Sequence, residues 1–183
     1  SNITTKVKKD TATSSTTTAY NELNKLREST ETGIDGGSDY FISNTFNTNG
    51  QVIHTYDNSG KEIFYTYDFL GRLIETKTMN GSNFITNKLE YDLNDNIISK
   101  TDGNGVKTVY EYNKLNKITK ETLIGNNRNY IKSYTYDKNG NKTSETDWLG
   151  NTITFKYNNI NRLIEKYDQN NVKIQTLEYN NNN

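Results

Sequence analysis

The sequence predicts an all-β fold, an antiparallel meander of tandem β-hairpins that forms a curved or spiral sheet. Two observations support this prediction. An aromatic residue followed by Asp or Asn recurs every 21 to 26 residues along the chain. Between these positions lie further turn sequences rich in Asp, Asn and Gly, and the segments between turns are rich in Thr, Ile, Val, Tyr and Phe. Regularly spaced turns between short β-prone segments are typical of successive antiparallel strands.

The repeats predict one array over residues 1–183. Residues 1–19 are expected to form Thr-rich leading strands, and residues 20–183 to form the tandem repeats. Each repeat starts at an aromatic residue, and the starts are Tyr20, Phe46, Tyr67, Tyr91, Tyr112, Tyr136, Tyr157 and Tyr179. The near-constant spacing indicates that each repeat is one supersecondary unit.

A helix competes with the strand prediction only near the start of the array, over residues 20–31. Leu23 and Leu26, among charged neighbours, would suit a short amphipathic helix. Residues 20–26, however, align one by one with residues 112–118 of a later repeat. The repeat therefore favours a turn followed by a strand here as well.

Four-residue turns are predicted in every repeat. Asp or Asn at the first position can accept a hydrogen bond from its own backbone two residues on, and Gly or Asn at the fourth position supplies the positive φ that closes a hairpin with a bulge. The predicted turns are 21–24, 47–50, 57–60, 68–71, 92–95, 102–105, 113–116, 137–140, 147–150 and 158–161. The residues assigned to this structural role are Asp57, Gly60, Asp68, Gly71, Asp92, Asp102, Gly105, Asp137, Gly140, Asp147 and Gly150.

The strands are expected to carry an aromatic ladder on one face, because side chains two residues apart share a face. Its members are Tyr65, Tyr67, Tyr110, Tyr112, Tyr134, Tyr136, Phe155 and Tyr157. Cross-strand aromatic pairs contribute about 0.2–1 kcal/mol each, and tyrosine hydroxyls can remain in water while the rings are covered. Such a sheet does not require a conventional core.

Composition limits the class of protein. The 183 residues carry 22 basic and 22 acidic side chains, so nothing favours nucleic acid as a partner. The absence of Cys excludes disulfides and thiol nucleophiles. The hydrophobic share is 31% and the mean hydropathy is −0.97, and no apolar run is long enough to span a membrane. Disorder is disfavoured because Pro is absent and the chain holds 14 Tyr and 6 Phe.

No constellation of side chains predicts an active site or a metal centre. His54 is the sole histidine, and an isolated His is more often structural than catalytic. Asp92 and Asp95 imitate a glycosidase carboxylate pair, but both fall inside a repeated turn. Asp92 also opens a partial match to an EF-hand loop, in which Ile97 occupies the position that requires Gly. We therefore expect no catalytic residue, no cofactor and no metal, and predict that the protein is not an enzyme.

The motif Tyr-Thr-Tyr-Asp-x-x-Gly-Arg-Leu at residues 65–73 closely resembles the YD repeat of the Rhs family, and residues 134–141 match it as well. The resemblance spans roughly residues 10–183. In relatives such as insecticidal toxin complexes, bacterial Rhs proteins and teneurins, these repeats form a spiral sheet that closes a hollow shell. The sequence departs from the bacterial members in one respect: it contains no Pro, and therefore lacks the Asp-Pro motif linked to their self-cleavage.

The resemblance implies a structural function. The chain would be a non-enzymatic YD-repeat segment of a larger secreted or cell-surface protein, contributing to a β-shell that encloses or displays another domain, such as a toxin. Its expected partners are the remaining repeats and the enclosed domain, and its expected location is extracellular or at the cell surface.

The alternative is a carbohydrate-binding or adhesive repeat module at the cell surface, because aromatic ladders can stack on sugars or cationic ligands. The single Trp148 lies in a predicted turn, where it is expected to make turn-tip contacts rather than to form a ligand platform. A surface carbohydrate is therefore an alternative partner.

Self-association through an exposed strand is also expected. The array stops within a turn after Tyr179, so the preceding strand, residues 171–179, would lack its next neighbour. Unpaired strand edges invite pairing, and zero net charge removes the repulsion that would oppose it.

Overall fold

The computed structural model describes residues 2–9, 12–20, 26–35 and 38–180. Every regular element in that part of the chain is a β-strand. The strands are β1 Asn2–Lys9, β2 Ala12–Tyr20, β3 Leu26–Asp35, β4 Ser38–Phe46, β5 Val52–Asp57, β6 Glu62–Tyr67, β7 Leu73–Asn80, β8 Asn83–Tyr91, β9 Ile97–Thr101, β10 Lys107–Tyr112, β11 Ile118–Ile124, β12 Tyr130–Tyr136, β13 Lys142–Thr146, β14 Thr152–Tyr157, β15 Leu163–Tyr167 and β16 Lys173–Thr176. The predicted all-β, antiparallel fold is confirmed.

The chain divides into two compact units, one extending to Lys88 and the other beginning at Leu89. In the first unit, β1 to β8 each pair antiparallel with the next strand in sequence. In the second unit, β9 to β16 follow the same rule. Because each unit is a meander, alternate turns lie on the same side of its sheet. We call the side that carries the turns after the repeat starts the motif side, and the other the opposite side.

Residues 26–31, where a helix competed in the sequence analysis, lie in strand β3. The turn predicted at 21–24 falls outside the described residues. The last strand is shorter than residues 171–179, because Asn171 is part of a turn with φ 61° and β16 covers only Lys173–Thr176.

Strand pairing shifts by one residue immediately before the aromatic residue that leads a turn. The shifts precede Tyr20, Phe46, Tyr67, Tyr112, Tyr136, Tyr157 and Tyr167. A bulge of this kind bends the strand and increases its twist. The repeat therefore places a bulge beside each of these turns.

The sheet has no buried hydrophobic core in the part whose side chains the structure describes. Ser99, 3% exposed, is the one buried residue there, and the aromatic ladder is half-buried throughout. Each unit therefore depends on strand pairing, turns and contacts along one layer. No helix among the described residues is long and apolar enough to cross a membrane.

Candidate functional site

The candidate site is the series of Asp- or Asn-led turns, and the turn at 137–140 shows its construction. Asp137 Oδ1 accepts hydrogen bonds from the backbone N–H groups of Asn139 (2.9 Å) and Asn141 (2.8 Å). The Gly140 N–H donates to the carbonyl oxygen of Asp137 at 3.1 Å, and the Asp137 N–H donates to that of Asn141 at 2.9 Å. One side-chain oxygen thus satisfies two backbone donors that strand pairing leaves free.

The same pair of contacts to a single Oδ1 recurs in ten turns of the described part of the chain. The turns open at Asn47, Asp57, Asp68, Asp92, Asp102, Asn113, Asp137, Asp147, Asn158 and Asp168. Both Asp and Asn fill the position, because each side chain carries the required Oδ1 acceptor.

The fourth residue of all ten turns has a positive φ. Six are glycines, with φ of 80° to 90°, and the others are Asp95, Asn116, Asn161 and Asn171, with φ of 54° to 65°. Asn and Asp tolerate this left-handed conformation better than other non-glycine residues. Gly71, for example, has φ 83°, and a Cβ there would lie 3.1 Å from Gln51 Nε2 of the preceding motif-side turn.

The turn at 168–171 was missed in the sequence analysis. Its signal was present, because Tyr167 and Asp168 repeat the aromatic-Asp pair and lie 21 residues after Asp147 of the preceding turn of this kind. Between residues 38 and 180, two connections do not follow the ten-turn pattern: Asn80 pairs directly with Asn83 around Gly81, and residues 125–129 form a longer loop.

The repeat-start tyrosines connect successive repeats. The Tyr112 hydroxyl donates to the carbonyl oxygen of Ile97 at 2.7 Å, and Ile97 opens the strand that follows the previous motif-side turn. We call this contact the tyrosine latch. The other latches run from Tyr67 to Val52, Tyr136 to Ile118, Tyr157 to Lys142 and Tyr179 to Leu163, at 2.8 to 2.9 Å.

The latches differ from the expectation that tyrosine hydroxyls remain in water. Each acceptor lies 15 to 18 residues before its donor. The alternation of side chains along a strand predicts which face a tyrosine occupies. It does not predict which backbone carbonyl 15 to 18 residues earlier the hydroxyl will meet, so the latches could not be predicted from the sequence. Burial raises the pKa of Tyr67, Tyr112, Tyr136 and Tyr157, so these hydroxyls remain protonated donors.

Side chains at the fifth turn position reach from one motif-side turn to the next. Gln51 Nε2 donates to the Gly71 carbonyl oxygen at 2.7 Å. Asn96 Nδ2 donates to Asn116 Oδ1 at 3.0 Å, and the corresponding distance from Asn141 to Asn161 is 2.8 Å. These three bonds recur at 45-residue intervals, so they repeat with every second hairpin.

Basic side chains occupy the fifth position of the alternate turns. Lys117 Nζ lies 5.9 Å from the ring centre of Tyr136, and Arg162 Cζ lies 5.2 Å from that of Tyr179. Both distances allow cation–π attraction. The amides and the cations thus link neighbouring turns along the motif side.

Several turn carboxylates are held in the charged form. Hydrogen bonds from the side chain and backbone of Asn141 lower the pKa of Asp137, and those of Asn151 do the same for Asp147. At Asp68, partial burial opposes the shift, but hydrogen bonds and the charge of Arg72 outweigh it and lower the pKa. The Arg72 Nε lies 2.8 Å from Asp68 Oδ2.

Charged side chains cover the aromatic ladder. Glu145 accepts from Lys132 and Lys142 with one oxygen each, both at 2.8 Å. The same two lysines lie 5.3 and 5.0 Å from the ring centre of Tyr134, whose hydroxyl donates to Glu121 at 2.7 Å. Tyr134 of the ladder is therefore part of a polar network.

The residues considered above as catalytic or metal-binding candidates make contacts within the sheet and its turns. His54 stacks on Phe64 with 4.4 Å between ring centres, and its Nε2 lies 3.4 Å from Glu62. Asp92 opens a turn and Asp95 occupies its positive-φ position. Among the described residues, no group of three or more His, Cys, Asp or Glu could hold a metal ion.

Comparisons with known proteins agree with this arrangement. Two crystal structures, of TcdB2-TccC3 and of TcdB2-TccC3-Cdc42, match with TM-scores of 0.67 at 16% identity, over 83% of this chain and 9% of theirs. The Photorhabdus luminescens Tc holotoxin pore matches with a TM-score of 0.57 at 14% identity, over 87% of this chain and 11% of that one. The chain thus spans about a tenth of the length of these structures. No curated protein matches the sequence.

The family comparison extends over the whole sequence. Residues 1–183 match the family described as the teneurin YD-shell. This match confirms the YD-repeat resemblance stated from residues 65–73 and 134–141. Because the match covers the whole sequence, the chain belongs to the teneurin YD-shell family.

Proposed function

We propose that the chain is a non-enzymatic structural segment of a larger secreted or cell-surface Rhs-type protein. It would form one strip of a hollow β-shell that encloses or displays another domain, such as a toxin. Its partners are then the remaining repeats of that shell and the enclosed domain. Membership of the YD-shell family and the fold similarity to TcdB2-TccC3 support this proposal.

The tyrosine latch is the observation that carries the proposal. The residues that define the repeat are engaged in holding the strip together: Asp or Asn in the turn, Gly or Asn at positive φ, and Tyr between repeats. Their bonding accounts for the motif without a reaction. A strip whose described side chains form no buried hydrophobic core also suits a wall better than a compact globular domain.

Limited proteolysis of the parent protein tests the proposal. We expect a domain enclosed by the shell to resist protease until the shell is opened. A variant with Tyr67, Tyr112, Tyr136 and Tyr157 changed to Phe should increase its cleavage, whereas Tyr110→Phe, which removes a hydroxyl with no hydrogen bond among the described residues, should not. Equal cleavage of the neighbouring domain in the unmodified parent and in the isolated domain would contradict enclosure.

The carbohydrate-binding alternative has one observation in its favour. Trp148, 37% exposed, lies beside a cavity on the opposite side of the second unit. A binding site there is compatible with a shell wall.

A further inference from the structure

A groove lies on the opposite side of the second unit, between the loop at 125–129 and the turn at 147–150. Its volume is about 460 Å³, and its lining includes Arg128, Asn129, Ile131, Ser133 and Trp148. This volume is within the range of small-molecule sites in proteins.

Most polar side chains of the groove are not engaged within the fold; the exceptions are Asp147 and Thr146, whose hydroxyl bonds to that of Thr152 at 2.9 Å. The Arg128 guanidinium lies over the ring of Tyr130, with its Cζ 4.5 Å from the ring centre. Within the described chain, Arg128 has no ion pair, and the side chains of Asn129, Ser133 and Trp148 make no hydrogen bond. By contrast, Lys132 on the aromatic face pairs with Glu145. The groove therefore presents a free guanidinium beside several free hydrogen-bonding groups.

The one carboxylate in the lining does not neutralise Arg128. Asp147 Oδ1 accepts from the N–H groups of Leu149 and Asn151, and Oδ2 accepts from Asn151 Nδ2 at 3.0 Å. Its oxygens are engaged within the turn. A ligand that carries its own carboxylate would suit the guanidinium, which binds carboxylates through two parallel hydrogen bonds.

Trp148 adds an apolar platform that the turn does not require. The equivalent turn 45 residues earlier has Gly103 at this position and keeps the same Oδ1 contacts and positive φ. Trp148 and Ile131 are 37% and 48% exposed, so ring and aliphatic surface remain open at the groove. The apolar face of a sugar ring can pack on such an indole.

We propose that this groove binds an acidic sugar, with the carboxylate of a hexuronate on Arg128, the pyranose ring against Trp148, and ring hydroxyls bonded to Ser133 and Asn129. A peptide fits less well. Strand β12 pairs with β11 along residues 130–133 and with β13 from Ser133 onward, so the strand edge beside the groove is at most the three residues 130–132. That edge is shorter than an average strand, which limits the backbone bonds that an extended peptide could form by adding a strand.

Fluorescence of Trp148, the sole tryptophan, measures binding directly in the full 183-residue chain. We expect D-glucuronate to change the emission with a Kd of roughly 1–10 mM, the range for a monosaccharide making few contacts. D-glucose, which lacks the carboxylate, should bind at least about tenfold more weakly. Absence of any response to glucuronate, or equal responses to the two sugars, would overturn the proposal.

Three variants test whether glucuronate binds in this groove. Arg128→Gln should weaken glucuronate binding at least about tenfold, while Lys138→Gln, which removes an exposed cation on the motif side, should leave it unchanged. Trp148→Gly, which copies the sister turn, should abolish binding detected by saturation-transfer NMR without loss of strand signal in circular dichroism. An Arg128→Gln variant that binds as tightly as the parent contradicts the assignment, as does tetraglutamate binding tighter than glucuronate.

Discussion

The turns at 137–140 and 158–161 build the same geometry from different residues. In the first, Asp137 opens the turn and Gly140 closes it with φ 81°. In the second, Asn158 opens it and Asn161 closes it with φ 61°. The four turn hydrogen bonds have nearly equal lengths, from 2.8 to 3.1 Å in the first turn and from 2.9 to 3.1 Å in the second.

This difference separates what the turn requires from what it tolerates. It requires one Oδ1 acceptor and a residue that accepts a positive φ. It does not require the negative charge of Asp or the missing side chain of Gly. Asn161 even gains a contact that glycine could not make, since its Oδ1 accepts from both Asn139 and Asn141.

The largest effect is expected at the fourth position. Changing Gly140 or Asn161 to Val should each destabilise the local hairpin by about 1–3 kcal/mol, because a β-branched residue is strained at a positive φ. Hydrogen exchange of the turn amides measures this local opening. Gly140→Asn is the control: it should cost less, since the Cβ would meet only the flexible Cε of Lys117. Equal losses for Asn and Val would show that side-chain volume, and not φ, sets the limit.

Substitution of the Asp or Asn at the first turn position should cause the next largest loss of stability. Asn158→Ala removes the acceptor for two backbone N–H groups and should cost about 1 kcal/mol, as loss of a side-chain cap does. Asn158→Asp should be nearly neutral. For Asp137, we expect Ala to lower the thermal midpoint and Asn to leave it nearly unchanged, because Asn47 donates to Gln51 Oε1 and shows how an amide opens the same turn. If Asn and Ala are equally harmful at Asp137, a charge-dependent role replaces the turn role.

Removal of a tyrosine latch should destabilise the sheet by about as much as loss of the first turn residue, or slightly less. The loss of stability should be equal for the turns at 137–140 and 158–161. Tyr136→Phe and Tyr157→Phe each delete one hydrogen bond to a backbone carbonyl, worth about 0.5–1.5 kcal/mol. Tyr110→Phe serves as the matched control, because no hydrogen bond of its hydroxyl is found in the described part of the chain. Urea denaturation monitored by circular dichroism compares the three. If Tyr110→Phe lowers the free energy of unfolding as much as Tyr136→Phe does, the latch hydrogen bond does not account for the loss of stability.

The smallest expected effect is the difference in stability between the turn opened by the charged Asp137 and the turn opened by the uncharged Asn158. This difference should be small at neutral pH and should grow in acid. The pKa of Asp137 is lowered in the folded chain, so its contribution to stability is full above the unfolded value near 3.8 and is lost as pH falls through the lower folded value. Lys173, Tyr167 and nearby charges lower the pKa of Glu165 to about 2, which extends the loss toward that pH. Stability should therefore decline from about pH 4 downward. Asp137→Asn should flatten the decline, and Asn158→Asp should steepen it.

The repeats in the sequence were sufficient to predict most of the fold. Turn openers and closers could be recognised because their hydrogen bonds are local, within four residues of the opening Asp or Asn. The latches could not, because the Tyr136 hydroxyl meets a carbonyl oxygen 18 residues away. The aromatic-Asp pair is also insufficient by itself. Tyr167 precedes Asp168 in a similar turn, yet its hydroxyl donates to Glu165 instead of a carbonyl.

The groove beside Trp148 could not be predicted for a related reason. It depends on the loop at 125–129, which departs from the ten-turn pattern, and on its distance from the turn at 147–150. Residue type placed Trp148 in a turn, but not next to Arg128. Departures from the repeat are therefore where the sequence was least informative.

The 45-residue interval of the contacts between motif-side turns has a consequence for how such genes can change length. Duplication or deletion of a 45-residue block would again place each donor beside the motif-side turn that follows it, since Gln51, Asn96 and Asn141 each bond to that turn. Insertion of a few residues within a strand would instead displace every latch across it. Growth of the array by whole pairs of hairpins is thus the genetic change that the bonding pattern accommodates most readily.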